Sequence, residues 1–137
     1  MTSCLRIKYN NKELKNIKEK VNNPIMGVYS IKNKVNNKYY IGSSKDVVKR
    51  IKTHKQHLLK GCHNSRVLQK EYDMYGEEGF NFDIIEIVKE EELLTAYEKY
   101  YIYKYNAIVK YKGYNEIFPT SNHKLFKEIC NLKINNK

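Results

Sequence analysis

No apolar stretch in this 137-residue chain approaches the roughly 18 residues that a membrane-crossing helix needs. The opening segment, MTSCLRIKYNNKELK, lacks the apolar centre of a signal peptide. Cysteine is scarce as well. Cys4, Cys62 and Cys130 are odd in number and far apart, which suits reduced thiols better than disulfides or a zinc site. These absences predict an intracellular protein, neither secreted nor membrane-borne. It would sit in a cytosol-like compartment or nucleoid, or in the host cytoplasm if the gene is viral. The most informative gap is in acids. Between Lys20 and Lys70 twelve Lys and Arg stand against one acid, Asp46, and the whole chain carries +11. A field of that sign favours a polyanion. Lys, Asn, Ile and Tyr make up nearly half the chain, as an AT-rich coding sequence would give. Codon bias supplies part of the lysine, but it does not exclude acids from one stretch.

The length fits one domain able to bury about two-thirds of its unfolded surface. Residues 1–23 read as a polar, basic extension in which Leu14, Ile17 and Val21 sit at helical spacing before "NNP" breaks the pattern. Residues 24–118 read as the folded domain. Residues 119–137 read as a basic tail with one helical stretch.

Within the domain, "IMGVYSI" and "KYYIGS" are rich in strand formers and are joined by the turn-prone "KNKVNN". A hairpin centred on that turn sets Tyr29 opposite Tyr40, with both side chains on one face. A helix follows, with Ser43 or Ser44 as its cap, Asp46 in its first turn and Gly61 at its end. Val47, Ile51, His54 and Leu58 form its apolar face, and Arg50 lies one turn before His54 at the edge of that face. A second helix fits "NSRVLQKEYDMY", a strand fits "FNFDIIEIV", and a long helix fits "EEELLTAYEKYYIYKYN", its glutamates in the first turn. On the long helix Leu94, Glu98, Tyr101 and Tyr105 share a face. Glu98 is thus a carboxylate inside an apolar and aromatic stripe, where a charge is costly without a purpose. Taken singly, each of these residues has a plain alternative. The chain has thirteen tyrosines. A histidine on an apolar face is commonly a core residue, and Glu98 has Lys49 and Lys99 as candidate partners.

Taken in order, "GVY", ten residues, "YIG", "RIKTH", "LLKGCHNSRVLQKEYDMYG", "FNFDIIEIV", the Glu98 helix and "GYN" resemble the GIY-YIG nuclease family over roughly residues 25–117. The spacing is most similar to the catalytic domains of phage- and intron-type homing endonucleases. Val28 replaces the isoleucine of the family's name, and Ile51 stands where tryptophan is usual. The resemblance implies an α/β (α+β) fold, a small three-stranded antiparallel sheet flanked by helices. It implies hydrolysis of a DNA phosphodiester with a single divalent metal, Mg²⁺ or Mn²⁺. It also implies the site residues: Tyr29 and Tyr40 from the two triplets, Arg50 and His54 from the helix, Glu98 as metal ligand, and Asn115 from "GYN". On this site Arg50 can grip phosphoryl oxygens; Tyr29 is a candidate base, its pKa lowered by nearby cations, and His54 can accept its proton as a relay, the choice between the two left open. Tyr40 orients the water or phosphate, and Asn115 steadies the Glu98 region.

Double-stranded DNA is the expected partner, with Lys32, Lys38, Lys45 and Lys49 as phosphate contacts. Only about twenty residues follow Asn115. Sequence recognition is therefore expected to be slight, or to lie in a separate DNA-recognition partner or region. Three rivals stand beside this reading: a non-catalytic nucleic-acid-binding module of the same fold; a repair, restriction or defence nuclease with the same catalytic core; and a purely structural protein, which leaves the placement of Glu98 and Arg50 unexplained.

Overall fold

The structure is a computed structural model and describes residues 24–109 and 112–135. The extension over 1–23, with its expected helix, lies outside the described residues. The elements are β1 (Gly27–Asn33), β2 (Tyr39–Ser44), α1 (Val47–Lys60), α2 (Arg66–Tyr75), β3 (Phe80–Ile87), α3 (Leu94–Lys104) and α4 (His123–Asn135). The strands form one antiparallel sheet in the order β2-β1-β3, so β2, which carries Tyr40 and Gly42, is an edge.

Alternation along β1 divides the core. Tyr29 and Ile31 face one way and pack with Ile84 and Phe80 against Val47, Val48, Ile51 and Leu58 of α1 and Leu68 and Tyr72 of α2. Val28 faces the other way and joins Ile41, Tyr39 and Ile85 against Leu94, Tyr101 and Ile102 of α3. Burying an isoleucine as fully as Ile41 is worth about 2–3 kcal/mol. A second layer lies outside α3. Lys133 of α4 bonds Glu86 at 2.7 Å with its ammonium over the Tyr97 and Tyr101 rings, and Lys99 lies over Phe126. The tail helix thus packs on α3, with Ile129 buried.

Three local expectations are corrected. The hairpin pairs Tyr29 with Gly42 and Ile31 with Tyr40, two residues away from the expected register. A slip of two preserves the face, so both tyrosines still point to α1. The α1 cap is Asp46, whose carboxylate accepts from Lys49 N–H, because Ser43 and Ser44 still belong to β2. The glutamates before α3 lie in a short 3-10 turn over Glu91–Leu93, ahead of the α-helix. The turn at Gly61 is as expected, with φ +76° in the left-handed region.

Gly42 has a purpose that the register reveals. A Cβ there would overlap the ring and hydroxyl of Tyr29. The missing side chain lets the Tyr29 ring cross β2 and bring its hydroxyl to the sheet edge. Gly42→Ala is expected to cost about 2 kcal/mol and lower the melting temperature by roughly 5–10 °C. Thermal denaturation followed by circular dichroism checks it, and an unchanged transition would mean that the ring has room to move.

Candidate active site

The edge of β2 opens into a cleft of about 580 Å³, lined by Tyr29, Tyr40, Ser43, Arg50, Glu98 and Asn115, with Asn64, Glu116 and Ile117 at its margins. Both layers contribute to it. Arg50 comes from α1 on one face of the sheet and is exposed; Glu98 comes from α3 on the other and is half-buried. They meet because the edge strand has no fourth strand beside it.

Glu98 is held by Ser43, whose hydroxyl donates to Oε1. Burial pushes its pKa up, and the Ser43 hydrogen bond opposes that only in part. Neither Lys49 nor Lys99 forms an ion pair with it among the described residues. Such a carboxylate gains from a cation in the cleft. No group of three or more His, Cys, Asp or Glu side chains able to hold a metal occurs among the described residues. The donor set therefore fits a hard ion that keeps most of its waters and takes one carboxylate. It does not fit a site built wholly of protein ligands.

Tyr29 is 1 % exposed, and its hydroxyl lies 2.5 Å from His54 Nε2. His54 Nδ1 lies 2.7 Å from His63 Nε2, and His63 Nδ1 accepts from the Ser65 N–H at 2.9 Å. Burial and the neighbouring imidazole hold His54 down to about 3, and burial holds His63 down to about 4, so both are neutral near pH 7. A backbone N–H can only donate, and that fixes the direction of the chain. His63 must carry its proton on Nε2 and donate to His54, and His54 must carry its own on Nε2 and donate to Tyr29. The expected transfer from Tyr29 to His54 runs against this order. Burial also raises the Tyr29 pKa, outweighing the lowering by Arg50, so the expected depression does not occur in the free protein. The Tyr40 ring packs edge-on against both imidazoles.

His63 was not singled out from sequence. It lies in an irregular segment with no periodicity to mark it. The available signal was a histidine two residues before the cap of α2, close to a helix face already holding another histidine.

Asn115 differs from expectation in what it holds. Its amide accepts from Ile41 N–H at 2.8 Å and donates to Ile41 O at 2.7 Å. Next to it Tyr114 N–H donates to Tyr39 O at 2.9 Å. These groups close the open edge of β2, and neither bonds Glu98.

None of the four lysines expected at DNA lines the cleft. Lys38 is bound to Glu71 at 2.7 Å in a network with Asn33, Asn36 and Tyr114. Lys32 lies over the Tyr39 ring, and Lys45 makes an exposed pair with Glu91. Lys49 is exposed on α1 beside Arg50.

The model of the GIY-YIG catalytic domain matches residues 25–115. Intron-associated endonuclease 1 of Enterobacteria phage T4 is 41% identical over 109 residues, which are 75% of this chain and 43% of that protein. A probable intron-encoded endonuclease 1 of Neurospora crassa is 37% identical over 86 residues, 58% of this chain and 27% of that protein. The chain thus spans less than half the length of these relatives. The solved catalytic domain of the homing endonuclease I-TevI superposes with a TM-score of 0.61 at 39% identity, covering 67% of this chain and 98% of that one. A glutamate-to-alanine variant of that domain gives 0.63 at 38% identity, covering 72% and 99%. Nucleases of this family generally depend on a metal, and homing endonuclease catalytic domains act on DNA. The span that the family model matches holds every residue of the cleft's chemistry, and the chain belongs to the GIY-YIG family.

Proposed function

We propose that this chain is a DNA endonuclease of the homing or mobile-element type, working inside the cell on double-stranded DNA. It hydrolyses phosphodiester bonds with one divalent metal, Mg²⁺ or Mn²⁺, at Glu98. One observation carries this reading: an exposed guanidinium, two tyrosines and a half-buried carboxylate, drawn from both faces of the sheet, line a single cleft. Arg50 suits the non-bridging oxygens, because its planar fork donates two parallel hydrogen bonds. When bound, the metal supplies positive charge against the charge that develops on the phosphoryl group. Tyr40 orients the phosphate or water. Lys32, Lys45 and Lys49 serve as positioning contacts to neighbouring phosphates, while Lys38, tied to Glu71, contributes less. The greater length of the curated relatives supports a separate DNA-recognition region or partner.

Tyr29 is the base in this reading. It lines the cleft, whereas His54 lies behind it. Once the phenol has lost its proton to solvent in the cleft, His54 Nε2–H and Arg50 both stabilise the phenolate, which then takes a proton from the attacking water. A base acts only when deprotonated, and this one is raised by burial. Single-turnover cleavage should therefore climb with pH to at least about pH 9, and Tyr29→Phe should remove most of the activity. A plateau reached near neutral pH would assign the base elsewhere.

The primary test is nicking and linearisation of supercoiled plasmid with Mg²⁺ or Mn²⁺, against a chelator control. Cleavage that needs the cation is expected. Salt-sensitive binding with no cleavage would favour the non-catalytic module or a missing recognition partner.

A further inference from the structure

Glu71 of α2 stands outside the cleft, and its carboxylate gathers donors from distant parts of the chain. Oε1 accepts from the Tyr114 hydroxyl at 2.6 Å, from Asn36 at 2.7 Å and from Asn33 at 3.2 Å. Oε2 accepts from the Lys38 ammonium at 2.7 Å. Burial would raise its pKa, but the bonds from Lys38, Tyr114 and Asn36 outweigh it and hold the carboxyl below its ordinary value. The side chain is only 14% exposed. Stability alone is a weak reason for such a group, since apolar packing serves as well without desolvating a charge.

Its partners flank one short stretch of chain. Lys38 directly precedes β2, and Asn36 lies in the turn before it. Tyr114 is fully buried, and its N–H bonds Tyr39 O. The next residue, Asn115, holds both backbone groups of Ile41. Tyr40 sits between Tyr39 and Ile41 and lines the cleft from an edge strand. The ties that steady this edge therefore lie immediately before and after Tyr40, and Glu71 anchors the side chains that bring them there.

We propose that Glu71 is a positioning residue for Tyr40: through Lys38 on one side and the Tyr114–Asn115 pair on the other, it clamps the edge strand and fixes where the Tyr40 phenol meets the phosphate or water. The helix α2 then contributes to hydrolysis from a carboxylate that touches no substrate. This rests on the endonuclease reading.

The test compares wild type, Glu71→Gln and Tyr114→Phe in the full chain. Glutamine keeps the shape but turns one of the two acceptor oxygens into a donor. Phenylalanine keeps the ring in the core and removes only its tie to Glu71. Single-turnover plasmid cleavage with Mg²⁺ is read well below each melting temperature, beside binding to a fixed duplex and amide hydrogen exchange by NMR. Both variants should cleave about 10-fold more slowly without binding DNA more weakly. The Ile41 N–H, held by Asn115, should exchange faster in both. The double variant should lose no more than Glu71→Gln alone, because the Tyr114 hydroxyl acts through that carboxylate. An unchanged rate in folded variants that merely melt lower would show a structural network and overturn the proposal. Slower cleavage with Ile41 exchange unchanged would place the effect elsewhere and overturn it as well, as would a loss confined to DNA binding. A wild type that does not cut would overturn the endonuclease reading instead, and exchange at Ile41 would still test the clamp.

Discussion

Replacing Glu98 with alanine is expected to lower metal-dependent cleavage by at least about 10³-fold while leaving the domain folded. Glu98 is the carboxylate held in the cleft by Ser43, and Glu116, at the rim, has no such anchor. The stability side can be signed. Burial raises the Glu98 pKa above its unfolded value, so the folded state holds this proton more tightly than the unfolded chain does. Stability is then lost as pH rises through that range and regained as it falls. At neutral pH the ionised carboxylate is a burden on the fold, and Glu98→Ala should melt at the wild-type temperature or above. Arg50→Ala, exposed on α1, should cost about 10²–10³-fold with no change in melting. The double variant should cost less than the product of the two, since both groups act on one phosphate. Cleavage surviving in Glu98→Ala at saturating Mg²⁺ would remove this residue from the metal site.

Acid is expected to unfold the domain at unusually mild pH. His54 is 4% exposed and His63 is 2% exposed. The folded protein keeps them neutral down to about 3 and about 4. The unfolded chain protonates both near about 6.5. Both folded values are depressed, so below pH 6.5 the unfolded state takes up protons that the folded state refuses. Stability is full above that point and falls as pH falls toward 4. The loss by pH 4 is on the order of 5 kcal/mol, comparable to the whole stability of a small domain. Raised Glu98 works in the opposite direction and softens the fall. Ellipticity and tyrosine fluorescence followed from pH 7.5 to 3.5 should show a cooperative transition near pH 4–5. His63→Gln, with one titrating ring fewer, should lose less over the same range. A profile flat to pH 4 would mean that the imidazoles reach solvent.

What could be read from the sequence, and what could not, divides along physical lines. The sheet, the helices and the face shared by Tyr29 and Tyr40 follow from period-two and period-3.6 patterns, which survive a register slip of two. The conflict of Glu98 with its apolar stripe marked it at once, since a charge there needs a reason. Arg50 was legible from its place beside the stripe. Non-local pairing was not legible. Nothing in the sequence ties Ser43 to Glu98, 55 positions away, or Asn115 to Ile41, 74 positions away. His63 escaped for the same reason: its meaning comes from a ring stacked on it in space. The pKa expectation for Tyr29 failed because cations can be counted in a sequence while burial must be seen.

The amide of Asn115 has one more consequence. A sheet edge is normally sealed by another strand, and a strand imposes register on everything that follows it. Here the Asn115 side chain, with two hydrogen bonds to Ile41, and the Tyr114 N–H on Tyr39 O do the sealing. The chain beyond it owes nothing to the pairing of β1 and β2. Rewriting Glu116 and Ile117, which precede the core-packed Phe118 and the α4-capping Asn122, would reshape the mouth of the cleft without slipping a single strand. The architecture separates the part that must stay rigid for hydrolysis from the part that can be exchanged, and a new cutting preference could arise there by local change alone.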